Sequence, residues 1–194
     1  AVSAGNHAIA ASYVANLFNL KNKIFIYDTS NNYRIDTCKN LNANIVFTNV
    51  NNAFTDVKKA EEEGYKFIHP FDGPNTLQGT ATLGYEINEQ YKNFDNIIIS
   101  IGGGGLISGV GACIKQLNPN CKIIGVEPEG ARGMTESLKK GYPLNKVNVS
   151  TIADSLSAPL HMDYSFKVAK NVIDEIITVT DQEMIDAMIF VSEK

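Results

Sequence analysis

Between Ser100 and Gly109 the chain reads Ser-Ile-Gly-Gly-Gly-Gly-Leu-Ile-Ser-Gly. Four consecutive glycines let a backbone approach a ligand with no Cβ in the way. The apolar run Ile97-Ile98-Ile99 precedes them, and Leu106, Val110, Cys113, Ile114 and Leu117 follow at helical spacing. A buried strand therefore runs into a glycine loop and then into a helix N-terminus. There, free N–H groups and the positive end of the helix dipole suit an anion. Gly102, Gly103, Gly104, Gly105 and Leu106 read as a phosphate cradle, and a Cβ at Gly103 would block the phosphate's approach. No Lys-Ser/Thr pair follows, which excludes a Walker-type loop, and Ile107 stands where a dinucleotide fingerprint needs its third glycine. The plainer alternative is a tight turn in a parallel α/β sheet, for which two glycines suffice.

A second constellation opens the chain: Ala1-Val2-Ser3-Ala4-Gly5-Asn6-His7-Ala8. Ser3, Gly5 and Asn6 are residue types that start helices, and Ala10, Val14, Leu17 and Phe18 supply a periodic apolar face behind them. The free N–H groups of that first turn suit a carboxylate. Asn6 adds an amide that both donates and accepts. His7 reads either as an acid or base or as a structural residue at a helix start.

Two anion sites in one chain imply a cofactor phosphate and a substrate carboxylate held at a fixed separation. Ser3-Ala4-Gly5-Asn6-His7-Ala8 together with Gly102-Gly103-Gly104-Gly105-Leu106 resembles the fold type II pyridoxal-phosphate enzymes. The nearest branch is the threonine/serine dehydratases (ammonia-lyases), with serine racemase a close cousin. Gly79-Thr80-Ala81-Thr82-Leu83-Gly84-Tyr85-Glu86-Ile87 is similar to the family's Gly-Gln-Gly-Thr-x-x-x-Glu-Ile, with Thr80 for Gln and Ala81 for Gly. Gly125-Val126-Glu127-Pro128 follows the glycine loop at the family's distance. Thr151-Ile152-Ala153-Asp154 resembles Thr-Ile-Ala-Asp-Gly, with Ser155 for Gly.

The resemblance implies an α/β fold of open parallel twisted sheets with flanking helices in two lobes, like the tryptophan synthase β chain. Residues 1–72 form the smaller lobe with the substrate loop, and 73–194 form part of the larger lobe with the phosphate loop. It implies pyridoxal 5'-phosphate as cofactor, anchored by Gly102 to Leu106 with Asn6 near the ring oxygen. Ser3, Gly5, Asn6 and His7 would hold the carboxylate of a small amino acid. The reaction implied is deamination of L-threonine or L-serine to a 2-oxo acid and ammonia. The family's Schiff-base lysine lies upstream, in Ser-x-Lys-x-Arg, and no lysine here has that setting. The chain thus reads as the middle of the enzyme, without its catalytic base and inactive alone. In the racemase the second residue of Ser-x-Gly-Asn is a proton-donating Ser, and here it is Ala4. The racemase's metal site uses Glu-Pro-x-x-Ala-x-Asp. Here Glu127, Pro128 and Ala131 are kept but Gly133 replaces the last acid. Glu127 then reads as a polar residue at a strand end more readily than as a ligand, and no metal is expected.

Composition agrees with a globular α/β chain: 194 residues, 44% hydrophobic and 20% charged. A net charge of −4 argues against nucleic-acid partners. No apolar run approaches the ~18 residues of a membrane span. Cys38, Cys113 and Cys121 make no Cys-x-x-Cys pair, which points to reduced thiols in a cytoplasmic setting. The intact protein is expected to be a homo-oligomer. A cysteine-synthase relative would carry a Gly-Thr-Gly-Gly-Thr loop, which is absent. A nucleotide-binding module would leave Ser3 to Ala8 unexplained, and a non-catalytic remnant is the alternative that the absent Schiff-base lysine leaves open.

The elements that position these loops alternate. Strands are expected at 23–28, 43–48, 65–69, 96–101, 122–127 and 175–180. Helices are expected after Asn6, at 53–63, 76–91, after the glycine loop, near 131–139, at 162–172 and from Asp181, which is read as that last helix's cap. Pro70, Gly73 and Pro74 mark a boundary.

Overall fold

The computed structural model describes residues 1–3, 5–49 and 51–194. Two compact units emerge, Ala1–Pro70 and Phe71–Lys194. The first contains α1 (Asn6–Leu17), β1 (Ile24–Tyr27), α2 (Asn32–Asn40), β2 (Ile45–Thr48) and α3 (Ala53–Glu62). β1 and β2 pair in parallel, Ile24 opposite Ile45 through Tyr27 opposite Thr48, and Val2 adds a parallel bridge to Phe25. Successive strand residues face opposite ways. Phe25 therefore joins Val2, Ala53, Val57 and Ala60 on one side, while Ile24 and Ile26 join Ala8, Ile35 and Cys38 on the other.

The second unit holds α4 (Pro74–Gln90), β3 (Asn96–Ser100), α5 (Gly105–Leu117), β4 (Lys122–Pro128), α6 (Gly133–Lys140), α7 (Asp163–Val172), β5 (Glu175–Val179) and α8 (Asp181–Ser192). Its three strands are parallel in the order β3-β4-β5. Ile99, Ile101, Ile107, Val110, Ile114, Ile123, Met134 and Phe166 form the core between sheet and helices. α4 lies unusually close to α5. A Cβ on Gly84 would sit 2.9 Å from the Val110 carbonyl, and one on Gly109 would collide with Thr80 Oγ1. The fold is mixed α/β with parallel sheets and flanking helices, as the chain's alternation implied.

Several local expectations change. Of the three cap types Ser3, Gly5 and Asn6, Gly5 is the N-cap of α1 and Asn6 is its first helical residue. The face α1 buries is Ala8, Ser12 and Ala15, whereas Ala10, Val14, Leu17 and Phe18 are exposed. Small residues let the helix approach its neighbours closely, and the buried Ser12 hydroxyl is satisfied by Ala8 O at 2.7 Å. Tyr65 to His69 pairs with no strand among the described residues. Tyr65 and Phe67 instead pack their side chains on the Val2–Phe25 cluster, and Tyr65 N donates to Ala60 O at 3.0 Å. On α5, Leu106 and Leu117 are exposed and Cys113 is only half-buried. The three cysteines are all free. Thr180, not Asp181, caps α8: its hydroxyl accepts from Glu183 N while Glu183 returns a contact to Thr180 N at 2.7 Å, a capping box. Asp181 is freed to accept from Thr151 Oγ1 and Ile152 N.

Candidate functional site

The glycine loop leaves β3 at Ser100 and enters α5 at Gly105. Ile101 N still donates to Val126 O at 2.8 Å, which fixes the loop's origin to the sheet. From Gly102 to Ile107 no backbone N–H meets a protein acceptor among the described residues. The carbonyls are treated differently. Gly104 O accepts from Ser108 N at 3.0 Å, Gly105 O from Thr80 Oγ1 at 3.0 Å, and Gly103 O from Ser165 Oγ at 3.4 Å. Carbonyls committed to the protein and a run of uncommitted N–H groups at a helix N-terminus make an anion site.

Each glycine in the loop is crowded from the Cβ side by protein. Gly104 has φ +92° and is C-terminally continuous with α5, a conformation other L-residues resist. A Cβ on Gly102 would lie 3.1 Å from Leu156 Cα, just beyond the Thr151–Asp154 segment. A Cβ on Gly105 would lie 2.5 Å from Phe71 O. A Cβ on Gly103 would enter the Phe71 ring. The Phe71 ring by itself thus requires a glycine at 103. Thr80, Leu156 and Phe71 converge on one loop although they lie far apart in the chain. Phe71 was missed by sequence reasoning, since nothing in a lone aromatic beside Pro70 marks it.

The N-terminal loop is built within the first unit. Ser3 N donates to Phe25 O at 3.0 Å, and Ser3 Oγ accepts from Gly5 N at 3.0 Å. The loop is thereby tied to β1 and turned into α1, where Asn6 and His7 N–H have no acceptor among the described residues. Asn6 is exposed and His7 half-buried. His7 Nε2 lies 3.0 Å from Ile68 O. A carbonyl only accepts, so Nε2 carries a proton. Burial lowers the His7 pKa, opposed by that hydrogen bond. Ala4 lies outside the described residues. Arg34, at the start of α2, was also missed: its guanidinium lies 3.1 Å from where a Gly5 Cβ would be, which brings a positive charge beside the loop. A cavity of about 400 Å³ in the same unit is lined by Val14, Leu20, Phe25, Val57, Tyr65 and Phe67, and by neither Ser3, Asn6 nor His7.

Glu127, at the end of β4, is fully buried. Its carboxylate accepts from Met134 N at 2.7 Å, Thr135 N at 2.9 Å and Thr135 Oγ1 at 2.7 Å. These donors are at the start of α6, so the carboxylate serves as that helix's N-terminal cap. Burial pushes its pKa up and the three donors pull it down. Gly133 leaves no space for an acid: its Cβ would stand 2.5 Å from His161 Nε2. No grouping of three His, Cys, Asp or Glu suited to a metal occurs among the described residues. No helix there is long and apolar enough to cross a membrane.

A family model described as pyridoxal-phosphate dependent enzyme matches residues 1–194. Phenylserine dehydratase of Ralstonia pickettii is 42% identical over 189 residues, covering 96% of this chain and 58% of that protein. The processed form of threonine deaminase isoform 2 from Solanum lycopersicum superposes with a TM-score of 0.84 at 38% identity, over 92% of this chain and 53% of that one. Maize serine racemase superposes with a TM-score of 0.89 at 33% identity, over 96% and 57%. The chain thus spans little more than half the length of these relatives.

Proposed function

This chain belongs to the pyridoxal-phosphate dependent enzyme family, and from that premise we propose that the protein it forms part of deaminates β-hydroxy amino acids to 2-oxo acids and ammonia. The observation that carries the reading is the glycine loop: a run of uncommitted N–H groups from Gly102 to Ile107 whose carbonyls are turned to the protein. The donors fit a phosphate monoester, which is the anionic handle of the family's cofactor. Gly102, Gly103, Gly104, Gly105 and Leu106 are the residues that would hold it. When bound, the cofactor supplies an electron-withdrawing ring that takes up charge from the substrate's α-carbon.

In this reading the loop 3–7 orients the substrate. Asn6 and His7 N–H donate to the carboxylate, with Ser3 Oγ holding Gly5 N in the turn that presents them. Ile68 O holds the His7 Nε2–H and burial lowers the His7 pKa, so in this reading the ring orients the loop. The substrate loop belongs to the unit Ala1–Pro70 and the phosphate loop to the unit Phe71–Lys194. Asn6 also serves the cofactor ring. Ala4 offers no proton for the second face of the α-carbon, which favours elimination over racemisation. The β-substituent is left open by these residues: methyl, hydrogen and phenyl are all represented among what the similar proteins' names denote.

The test is an assay of the full-length protein, loaded with pyridoxal phosphate, on L-threonine, L-serine and L-threo-phenylserine. Release of ammonia and the matching 2-oxo acid from at least one of them is expected. Release no faster than with free cofactor on all three would overturn the proposal.

A further inference from the structure

Phe71 packs directly on the phosphate loop, and Asp72 is linked to it through Ser165. The Phe71 ring occupies the space above Gly103, and its backbone lies against Gly105, 2.5 Å from where that residue's Cβ would be. One residue on, Asp72 Oδ1 accepts from Ser165 N at 2.7 Å, near the start of α7. Ser165 is fully buried and reaches the loop twice. Its single hydroxyl proton is shared between Met162 O at 3.3 Å and Gly103 O at 3.4 Å, and its carbonyl accepts from Ser108 Oγ at 2.8 Å, in the first turn of α5. Ring, carboxylate and serine thus form one continuous clasp around Gly103 and the α5 N-terminus.

We propose that Phe71 and Asp72 are positioning residues that hold the Gly102–Ile107 N–H groups convergent on the cofactor's phosphate. This rests on the reading that the loop binds that phosphate. A loop of four glycines has the largest conformational entropy a chain can offer, and left free it would have to be ordered at the moment of binding. Preorganisation moves that cost from binding to folding. The ring removes conformations in which Gly103 rises from the sheet. The carboxylate fixes Ser165, a charge-assisted contact stronger than a neutral one and well placed at a helix N-terminus. Ser165 then takes up the Gly103 carbonyl, which leaves the adjoining N–H groups turned to the ligand.

The test compares binding of pyridoxal 5'-phosphate with binding of pyridoxal, which lacks the phosphate, to the full-length protein and its variants. The readout is the ratio of the two affinities, together with the ³¹P resonance of the bound phosphate. Asp72→Ala is expected to lower the ratio by about tenfold, on the scale of a hydrogen bond to a charged group. It is also expected to shift or broaden the ³¹P signal. Asp72→Asn keeps an acceptor for Ser165 N and should retain most of the ratio. Phe71→Leu and Ser165→Ala keep the test open if Asp72→Ala does not fold, and each should lower the ratio severalfold. A general loss of structure weakens both ligands alike and leaves the ratio standing. An unchanged ratio and ³¹P signal in these variants would overturn the clasp. A wild-type protein that binds pyridoxal as tightly as its phosphate would overturn the loop reading itself.

Discussion

Acidification should unfold this protein partly through one imidazole. His161 is only 4% exposed, its Nδ1 has no hydrogen-bond partner, and burial lowers its pKa from 6.5 to about 4. The folded state therefore resists a proton that the unfolded chain accepts. Above about pH 6.5 both states are neutral and the group has no effect on stability. Below it the unfolded state binds the proton first, and stability is lost progressively until about pH 4, where the folded state also titrates. A gap of roughly 2.5 pH units at about 1.4 kcal/mol each comes to about 3.5 kcal/mol in full, and about 2 kcal/mol of it is already lost at pH 5. That is a large part of a typical folding free energy. Carboxylates also lose stability on acidification, so the comparison is with His161→Met, which fills similar space without titrating. Urea unfolding of both proteins at pH 7.5, 6.0 and 5.0 gives the difference directly. The wild type should fall behind the variant by about 2 kcal/mol between the first and last of these. Parallel curves across that range would refute the reasoning and mean that His161 finds solvent or a partner when charged.

Glu127→Ala should cost about 3 kcal/mol in urea unfolding, because Met134 N and Thr135 N lose their acceptor in a buried setting, while Glu127→Gln should cost less. A cost near zero for the alanine variant would mean that the α6 cap is dispensable. Gly103→Ala should destabilise by about 1–3 kcal/mol through collision with the Phe71 ring, and Phe71→Ala in the same chain should recover part of that loss. Additive costs in the double variant would show that the ring is not what excludes a side chain at 103. With L-serine, chiral chromatography should find pyruvate well ahead of D-serine, and Ala4→Ser should raise the D-serine formed. D-serine appearing as fast as pyruvate in the wild type would contradict the elimination reading.

The glycine loop and its helix were legible because four glycines between an isoleucine strand and a periodic helix have few other uses. The parallel α/β order followed from alternating apolar runs and helical periods. What escaped was decided by partners distant in sequence. α2 carries only Ile35 and Cys38 as apolar anchors, so its nine residues show too little periodicity to announce a helix. α1 was given the wrong face because large apolar residues are the usual sign of burial, and here Ala8, Ser12 and Ala15 are the ones that fit a close approach. The 65–69 segment has strand-like residues but no pairing strand among those described, and strandedness belongs to the pair. Asp181 and Thr180 are both capping types, and only the returning contact from Glu183 decides between them. In the site, the residue types at Ser3, Gly5, Asn6 and His7 could be read, but the Arg34 charge beside Gly5 and the Phe71 ring over Gly103 could not.

The most direct measurement is a crystal structure of the full-length protein with pyridoxal 5'-phosphate bound. The account predicts phosphate oxygens at about 3 Å from several N–H groups between Gly102 and Ile107, with the Gly103 and Gly105 carbonyls still held by Ser165 and Thr80. A phosphate bound elsewhere, with those N–H groups facing only water, would contradict it.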